Sequence, residues 1–358
     1  MCSCPQCRNQ DTAQRQINVF KMPANACEIV KVTEVQDKEV GLNVEFGDGH
    51  ASFFPSSQFN DKRSTPVQEA RSGMVPAKTW DAGIVDQAPT LKYATFESGT
   101  GMSTLLHKIR KYGFAFVEDM PATPEATQGL LESIGPIRNT HYGGFYDFTS
   151  DLASKDTAYT AEALEPHTDN TYFTEPAGLQ ALHMLAHTDG SGGLSSLVDG
   201  FAAADKLFKD DVSAYQTLSR VGVYAHASGN EGVSIQPAEP APVFTHHEYG
   251  RMLGHIAQVR WNNADRAGLR LGLATIGNWY DAAAKFDAII SESANQYWFQ
   301  LKPGTMLLFD NWRVLHGRSA FTGKRRMCGG YINRDDFISK YRTTNLSQEE
   351  LLASTVTG

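Results

Sequence analysis

The side chains in this sequence best suited to chemistry are two histidines and a carboxylate. The segment "EPHTDNTYF" contains His167-Thr168-Asp169. In a β-strand, residues i and i+2 point to the same face, so His167 and Asp169 can reach one ion from one strand end. A second histidine would complete a facial triad of two histidines and one carboxylate. That set holds non-haem iron(II) and leaves coordination positions open. His316, in "LLFDNWRVLHGRSAF", is the natural third ligand, since it closes a β-run near the C-terminus with basic residues just beyond it. The triplet alone is a weak signal, because His187-Thr188-Asp189 repeats it. The second copy runs into Gly190-Ser191-Gly192-Gly193 and reads as a hairpin turn. For either triplet the alternative is a turn held by Thr and Asp hydrogen bonds.

Four cations follow His316: Arg318, Lys324, Arg325 and Arg326. A dicarboxylate bound to such a metal needs a cation for its far carboxylate, and the planar arginine fork pairs with one in two places. Arg325, nine residues past His316, can lie on the next antiparallel strand beside the metal. Lys324 and Arg326 read as solvated surface. Of five cysteines (Cys2, Cys4, Cys7, Cys27 and Cys328), three crowd into the first seven residues. An odd number so spaced is a poor disulfide framework and points to metal binding.

These groups need elements to position them. The chain has 358 residues, 41% hydrophobic and 20% charged, enough for a full core and more than one domain. A net charge of −8 argues against a nucleic-acid binder. No apolar run approaches the length of a membrane span. The start shows no signal core, so a cytoplasmic protein is expected, or a mitochondrial one if further residues precede it. Residues 1–57 alternate short β-runs with turn signals such as Gly47-Asp48-Gly49, as in a small β module. Residues 58–94 are polar and aperiodic and read as a linker or wrapped arm. From residue 95 to 345 a mixed domain follows. Met102, Leu105, Leu106 and Ile109 share a helix face, and "TPEATQGLLESIG" has a helix start and stop. Many short strands come next, with one helical insert near 276–295. Residues 346–358 read as a tail. The expected class is α+β, mainly β: a double-stranded β-helix, or jelly roll, with helical inserts.

With "SKDTAYT", "HTDNTYF", "GGLSSLVDGF", "VRWNNADRA" and "LKPGTMLLFDNWRVLHGRSAFTGKRR" on the page, the chain resembles the γ-butyrobetaine and trimethyllysine dioxygenase family over nearly its whole length. The resemblance implies iron(II) on His167, Asp169 and His316. It implies 2-oxoglutarate clamped by Arg325, with Arg318 and Ser195 as further contacts, dioxygen as second cosubstrate and ascorbate as accessory reductant. It implies an aromatic cage for a trimethylammonium group at Tyr142, Phe145, Tyr159 and Tyr331, where cation–π attraction is worth roughly 0.5–2 kcal/mol per ring. Phe145 departs from the family, which usually has Trp there. Asp156 stands where γ-butyrobetaine dioxygenases resemble one another in having Asn. An aspartate can pair with the α-ammonium of a free amino acid, so trimethyllysine is the implied substrate, with Asn262 or Asn263 on its carboxylate. The alternative for Asp156 is a turn cap. γ-Butyrobetaine and trimethylaminoethylphosphonate are the alternative substrates, and a non-catalytic metal or ligand sensor is the reading from another class. Family members also resemble this chain in a Cys3His zinc module, here Cys2, Cys4, Cys7 and His50. A homodimer is among the implied assemblies.

Overall fold

The computed structural model describes residues 2, 4–36, 40–56, 70–73, 75–149, 161–229, 231–248 and 254–356. The chain divides into two compact units, Met1–Met74 with Asn345–Gly358, and Val75–Thr344.

The first unit carries an antiparallel sheet of β1 (Ile29–Gln36), β2 (Val40–Phe46) and β3 (Ala51–Pro55), in that order. Gly49, at φ 84°, turns the chain between β2 and β3, as the Gly-Asp-Gly signal predicts. β1 is an outer strand and exposes Ile29, Val30 and Val32. Residues 346–358, expected as a tail, instead form a helix over Gln348–Val356. The reason is a capping box. Ser347 N donates to Glu350 Oε2 at 2.7 Å, and Glu350 N donates to Ser347 Oγ at 3.2 Å. Arg71 Nη2 donates to Ser354 O at 3.0 Å and holds this helix within the unit.

The second unit begins earlier than the sequence suggests. Trp80, Ile84 and Leu91 are buried in its core, and β4 (Thr90–Lys92) pairs parallel with β5 (Phe114–Glu118). The expected linker of 58–94 therefore does not extend through its second half. Its buried residues are too widely spaced to show a period, yet Trp80, Ile84 and Leu91 reach the core. Residues 57–69 and 74 lie outside the described residues.

Ten strands of this unit form two sheets: β4 and β5 with β6 (Tyr146–Thr149), β7 (Leu164–His167), β8 (Leu179–Thr188), β9 (Ser195–Asp199), β14 (Tyr297–Phe299), β15 (Met306–Asp310), β16 (Val314–Arg318) and β17 (Lys324–Ile332), while β10–β11 and β12–β13, over 227–259, are separate two-stranded pairs. One sheet has the order β4-β5-β15-β8-β17-β6, the other β14-β9-β16-β7. A core of Phe114, Phe116, Met184, Leu197, Leu307, Phe309 and Val314 takes residues from both sheets. Helices α1 (Gly101–Tyr112) and α2 (Pro124–Ile134) pack on the larger sheet through Leu105, Leu106, Ile109, Leu130 and Leu131. Gly113 stops α1 in the left-handed region at φ 87°. Helices α3 (Gly200–Asp210), α4 (Val212–Arg220) and α5 (Leu273–Ser291) form a further core with β9 and β16. α5 is the expected helical insert. No helix among the described residues is long and apolar enough to cross a membrane.

The corner between β15 and β16 passes from one sheet to the other. It is fixed by buried charges, which persist only when paired. Arg313 donates to both oxygens of Asp199, at 3.0 and 2.7 Å, and to the carbonyls of Lys111 and Lys78. Asp310 accepts from Arg334 at 2.7 Å. The segment that delivers His316 is therefore rigidly anchored.

Candidate metal centre

His167 ends β7 and His316 lies in the middle of β16. They are direct cross-strand partners, which sets their rings side by side with centroids 4.3 Å apart. Asp169 lies past the end of β7, in a turn, and not on the strand as the i, i+2 argument expects. Other groups aim it. Asn311, 1% exposed, accepts from Asp169 N at 2.8 Å and donates from Nδ2 to Asp169 O at 2.9 Å. Thr168 pairs with Trp261 on its near side (Thr168 N donates to Trp261 O at 2.7 Å). Asn170 takes φ 62°, which asparagine tolerates. Arg260 donates to the carbonyls of Thr171 and Phe173, holding the end of the turn.

The ligand atoms of His167, Asp169 and His316 all lie within 4.8 Å of one another. Asp169 Oδ1 is 3.3 Å from His167 Nε2 and 3.9 Å from His316 Nε2. Bonds of about 2.0–2.2 Å to one ion would place such atoms about 3 Å apart, so little movement is needed. His167 Nδ1 donates to Glu165 O at 2.8 Å, which leaves Nε2 facing Asp169. Such a second hydrogen bond fixes the tautomer of a ligating histidine. His316 Nδ1 is buried with no hydrogen-bond partner among the described residues.

The electrostatics suit ligation. Burial, then the neighbouring His167, pushes His316 down to about 3, so it stays neutral with a lone pair to offer. Burial also disfavours the charge on His167, but the Asp169 carboxylate outweighs it and raises the group. Burial opposes ionisation of Asp169 as well. Against it, His316, His167 and Tyr331 hold the carboxyl well below its usual range. The second oxygen, Oδ2, accepts from the Tyr331 hydroxyl at 2.6 Å.

Arg325 is on β17, the next strand in the chain but in the other sheet from His316, and the same strand carries Tyr331, which reaches Asp169. It is 1% exposed, and its Nε and Nη1 have no hydrogen-bond partner among the described residues. A buried guanidinium without an anion is costly, so this one is built for a ligand's carboxylate. Burial, then Arg318, pushes it down to about 10. Arg318 lies opposite Ser195 on β9, and Phe321 stands 4.9 Å from each of the two guanidiniums. Arg326 is an exposed partner of Asp147, and Lys324 is exposed, as expected.

The expected substrate residues divide. Tyr142 lies against His141, ring centroids 3.9 Å apart and tilted by 41°, and hydrogen-bonds Tyr172. Tyr331 lies 5.9 Å from Tyr146. Phe145 is partly buried and packs against the core that includes Leu130, Leu131 and Ile134 of α2. Asn262 is occupied in a turn: its Oδ1 accepts from Ala264 N, and its Nδ2 donates to Asp265. Asn263 Oδ1 accepts from Arg266 at 3.4 Å. Asp156 and Tyr159 lie outside the described residues. Asn311, Arg260, Phe321, Tyr146 and Tyr172 are part of the site and went unread in the sequence. Only Tyr172 carried a signal, its closeness to the His-x-Asp triplet.

Two other groups complete the picture. His187 Nε2 lies 3.0 Å from Thr322 O, and Asp189 turns at φ 59°, so the second triplet is structural. In the first unit, His50 Nε2 lies 3.3, 3.8 and 3.6 Å from the sulfurs of Cys2, Cys4 and Cys7. Tetrahedral zinc would set such atoms about 3.6 Å apart.

The profile of the Taurine catabolism dioxygenase TauD, TfdA family matches residues 79–331. A trimethyllysine dioxygenase of Neurospora crassa is 42% identical over 98% of this chain and 80% of its own. One from Meyerozyma guilliermondii is 37% identical over 98% of this chain and 90% of its own. A γ-butyrobetaine dioxygenase of a Pseudomonas species is 29% identical over 95% and 87%.

Proposed function

The chain belongs to the TauD, TfdA family of dioxygenases, and we propose that it is an iron(II)- and 2-oxoglutarate-dependent hydroxylase acting on C3 of N6-trimethyllysine. The observation that carries the reaction class is the cluster of His167, Asp169 and His316 within 4.8 Å. The buried guanidinium of Arg325, with Nε and Nη1 lacking partners among the described residues, supports the cosubstrate. The two sheets with their shared core are read as a double-stranded β-helix.

Ferrous iron held there would supply, with dioxygen and 2-oxoglutarate, the oxidation that turns C–H into C–OH as the 2-oxo acid loses carbon dioxide to give succinate. The chain's own residues orient and exclude. His167, Asp169 and His316 present one face of ligands and leave the opposite side free. Arg325 pairs with the far carboxylate of 2-oxoglutarate. Arg318 and Ser195 are further contacts. Tyr142, Tyr159 and Tyr331 offer ring faces to a trimethylammonium group. Asp156 pairs with the substrate α-ammonium, and Asn262 or Asn263 takes the α-carboxylate if the turn they form opens. Names of the relatives favour trimethyllysine: two that carry it are 42% and 37% identical, against 29% for a γ-butyrobetaine dioxygenase. Ascorbate keeps the metal reduced between turnovers. Cys2, Cys4, Cys7 and His50 bind one structural zinc.

The test incubates protein with Fe(II), 2-oxoglutarate, ascorbate and oxygen, and with trimethyllysine, γ-butyrobetaine or trimethylaminoethylphosphonate in parallel. Succinate with a trimethyllysine product heavier by one oxygen atom is expected. Succinate coupled to another substrate discards the substrate and keeps the chemistry. No succinate with any of them discards the reading. Asp156→Asn should raise KM for trimethyllysine about tenfold, or about 1.4 kcal/mol, and leave uncoupled 2-oxoglutarate turnover intact. Unchanged KM would remove the role given to Asp156.

A further inference from the structure

Asp169 has little freedom left. Asn311 fixes its backbone on both sides, at N–H and at C=O, so only the carboxylate can still rotate. Its oxygens have different neighbours. Oδ1 faces both histidines, while Oδ2 accepts from Tyr331 at 2.6 Å. Tyr331 is itself buried. It lies in β17 on the same face as Arg325, alternate residues sharing that side, and is 7% exposed. The other nearby hydroxyl, on Tyr172, is engaged with Tyr142.

We propose that Tyr331 is a positioning residue whose hydroxyl holds Oδ2 of Asp169 off the metal, so that the carboxylate binds through Oδ1 alone. This rests on the metal-centre reading and deepens it. A carboxylate free to turn can bind a metal with both oxygens, taking a position that the cosubstrates need. One hydrogen bond prevents that. It also ties the ring proposed to face the trimethylammonium group to the orientation of a ligand, so a substrate that shifts the ring shifts the ligand too. Outer partners of this kind are worth about 10–100-fold in metal affinity or activity.

The test is Tyr331→Phe, which keeps the ring and its packing and so should fold, as a thermal melt of the metal-free protein checks. The probe is Mn(II), which prefers oxygen and nitrogen ligands and so avoids the thiolate cluster, kept filled with zinc. Mn(II) binding is followed by electron paramagnetic resonance. Tyr331→Phe should weaken it about tenfold or more and change the line shape. Tyr142→Phe, which also removes a ring hydroxyl near the centre, should do neither. In turnover, Tyr331→Phe should consume 2-oxoglutarate without matching product, with KM for the trimethylammonium substrate little changed. A folded Tyr331→Phe protein with parental Mn(II) affinity and line shape would sink the positioning role alone. A parent protein whose Mn(II) binding survives His316→Ala would overturn the metal-centre reading and this inference with it.

Discussion

Cys2, Cys4, Cys7 and His50 offer four ligand atoms, whereas His167, Asp169 and His316 offer three. The first set surrounds its centre: one imidazole nitrogen stands 3.3–3.8 Å from three sulfurs, which suits a closed tetrahedral ion. The second is lopsided. Its carboxylate is divided between the histidines and Tyr331, and the same unit carries a buried guanidinium with two partnerless nitrogens. Their supports differ as well. The cysteines lie within one short turn-rich stretch and His50 only 43 positions beyond Cys7, while His316 comes from a strand 147 positions beyond Asp169. A cluster that only staples a fold needs local chain and no open side. One that does chemistry needs an open side and a rigid frame from distant elements.

The largest effect that separates the two is expected at Asp169. Asp169→Asn removes the only anionic ligand of its cluster and should cut coupled hydroxylation by more than about 100-fold, since even outer partners of ligands reach that size. Zinc content should stay at about one per chain. Loss of both metals together would break the comparison, because the clusters would then not be independent. The converse substitution is Cys7→Ser. It should abolish zinc binding and unfold the small module, to which a structural zinc can contribute about 10 kcal/mol of apparent binding energy. Succinate formation per folded molecule should fall no more than about twofold, within the scatter expected for sites that share no partners. Metal analysis and turnover on the same preparation check both.

A third effect is smaller and concerns the open side. Arg325→Ala leaves the ligands in place and removes the cation. Truncating one partner of a buried charge pair costs about 2–5 kcal/mol, so KM for 2-oxoglutarate should rise by at least about 30-fold. Iron binding without 2-oxoglutarate should not change. An unchanged KM would mean that the cosubstrate's far carboxylate lies elsewhere, with Arg318 the next candidate.

The cluster was legible because metal coordination admits few residue types at few spacings: His167, Asp169 and His316 could be singled out from the sequence, and the structure brings them within 4.8 Å. What holds them could not. Asn311 and Arg260 act on backbone atoms of a turn far away in the chain, and no local period marks such residues. The place of Asp169 was misread for the same reason: strand geometry alone would give the pair one face, but the strand ends first. Phe145 shows the limit of residue type, since an aromatic suits a cage or a core equally and this one is partly buried against the core. Asn262 is a turn former doing a turn former's work. The C-terminal helix was readable, because Ser347 and Glu350 have the spacing of a capping box. Trp80, Ile84 and Leu91 were not, since three buried residues spread over a polar stretch make no pattern.

The smallest effects compare one glycine beside each cluster. Gly49 precedes His50 at φ 84°, and a Cβ there would meet nothing within 4 Å. Gly193 is at φ 67°, and a Cβ there would lie 3.1 Å from Arg325 Nη1 and 3.2 Å from its Cζ. Alanine at either position pays the left-handed strain of about 1–2 kcal/mol. At Gly49 that is the whole effect: the module should melt at lower temperature, and KM for 2-oxoglutarate should not move. At Gly193 the methyl also presses on the guanidinium, which Phe321 backs at 4.9 Å. Arg325 must then shift by a few tenths of an ångström, and an orientation-sensitive clamp loses affinity when its partner is displaced. Gly193→Ala should therefore raise KM for 2-oxoglutarate a few-fold, well short of Arg325→Ala, and leave zinc untouched. If both alanine variants lost only stability, the frame around Arg325 would be as tolerant as the zinc module, and the contrast between a staple and a shaped site would shrink to the ligand count.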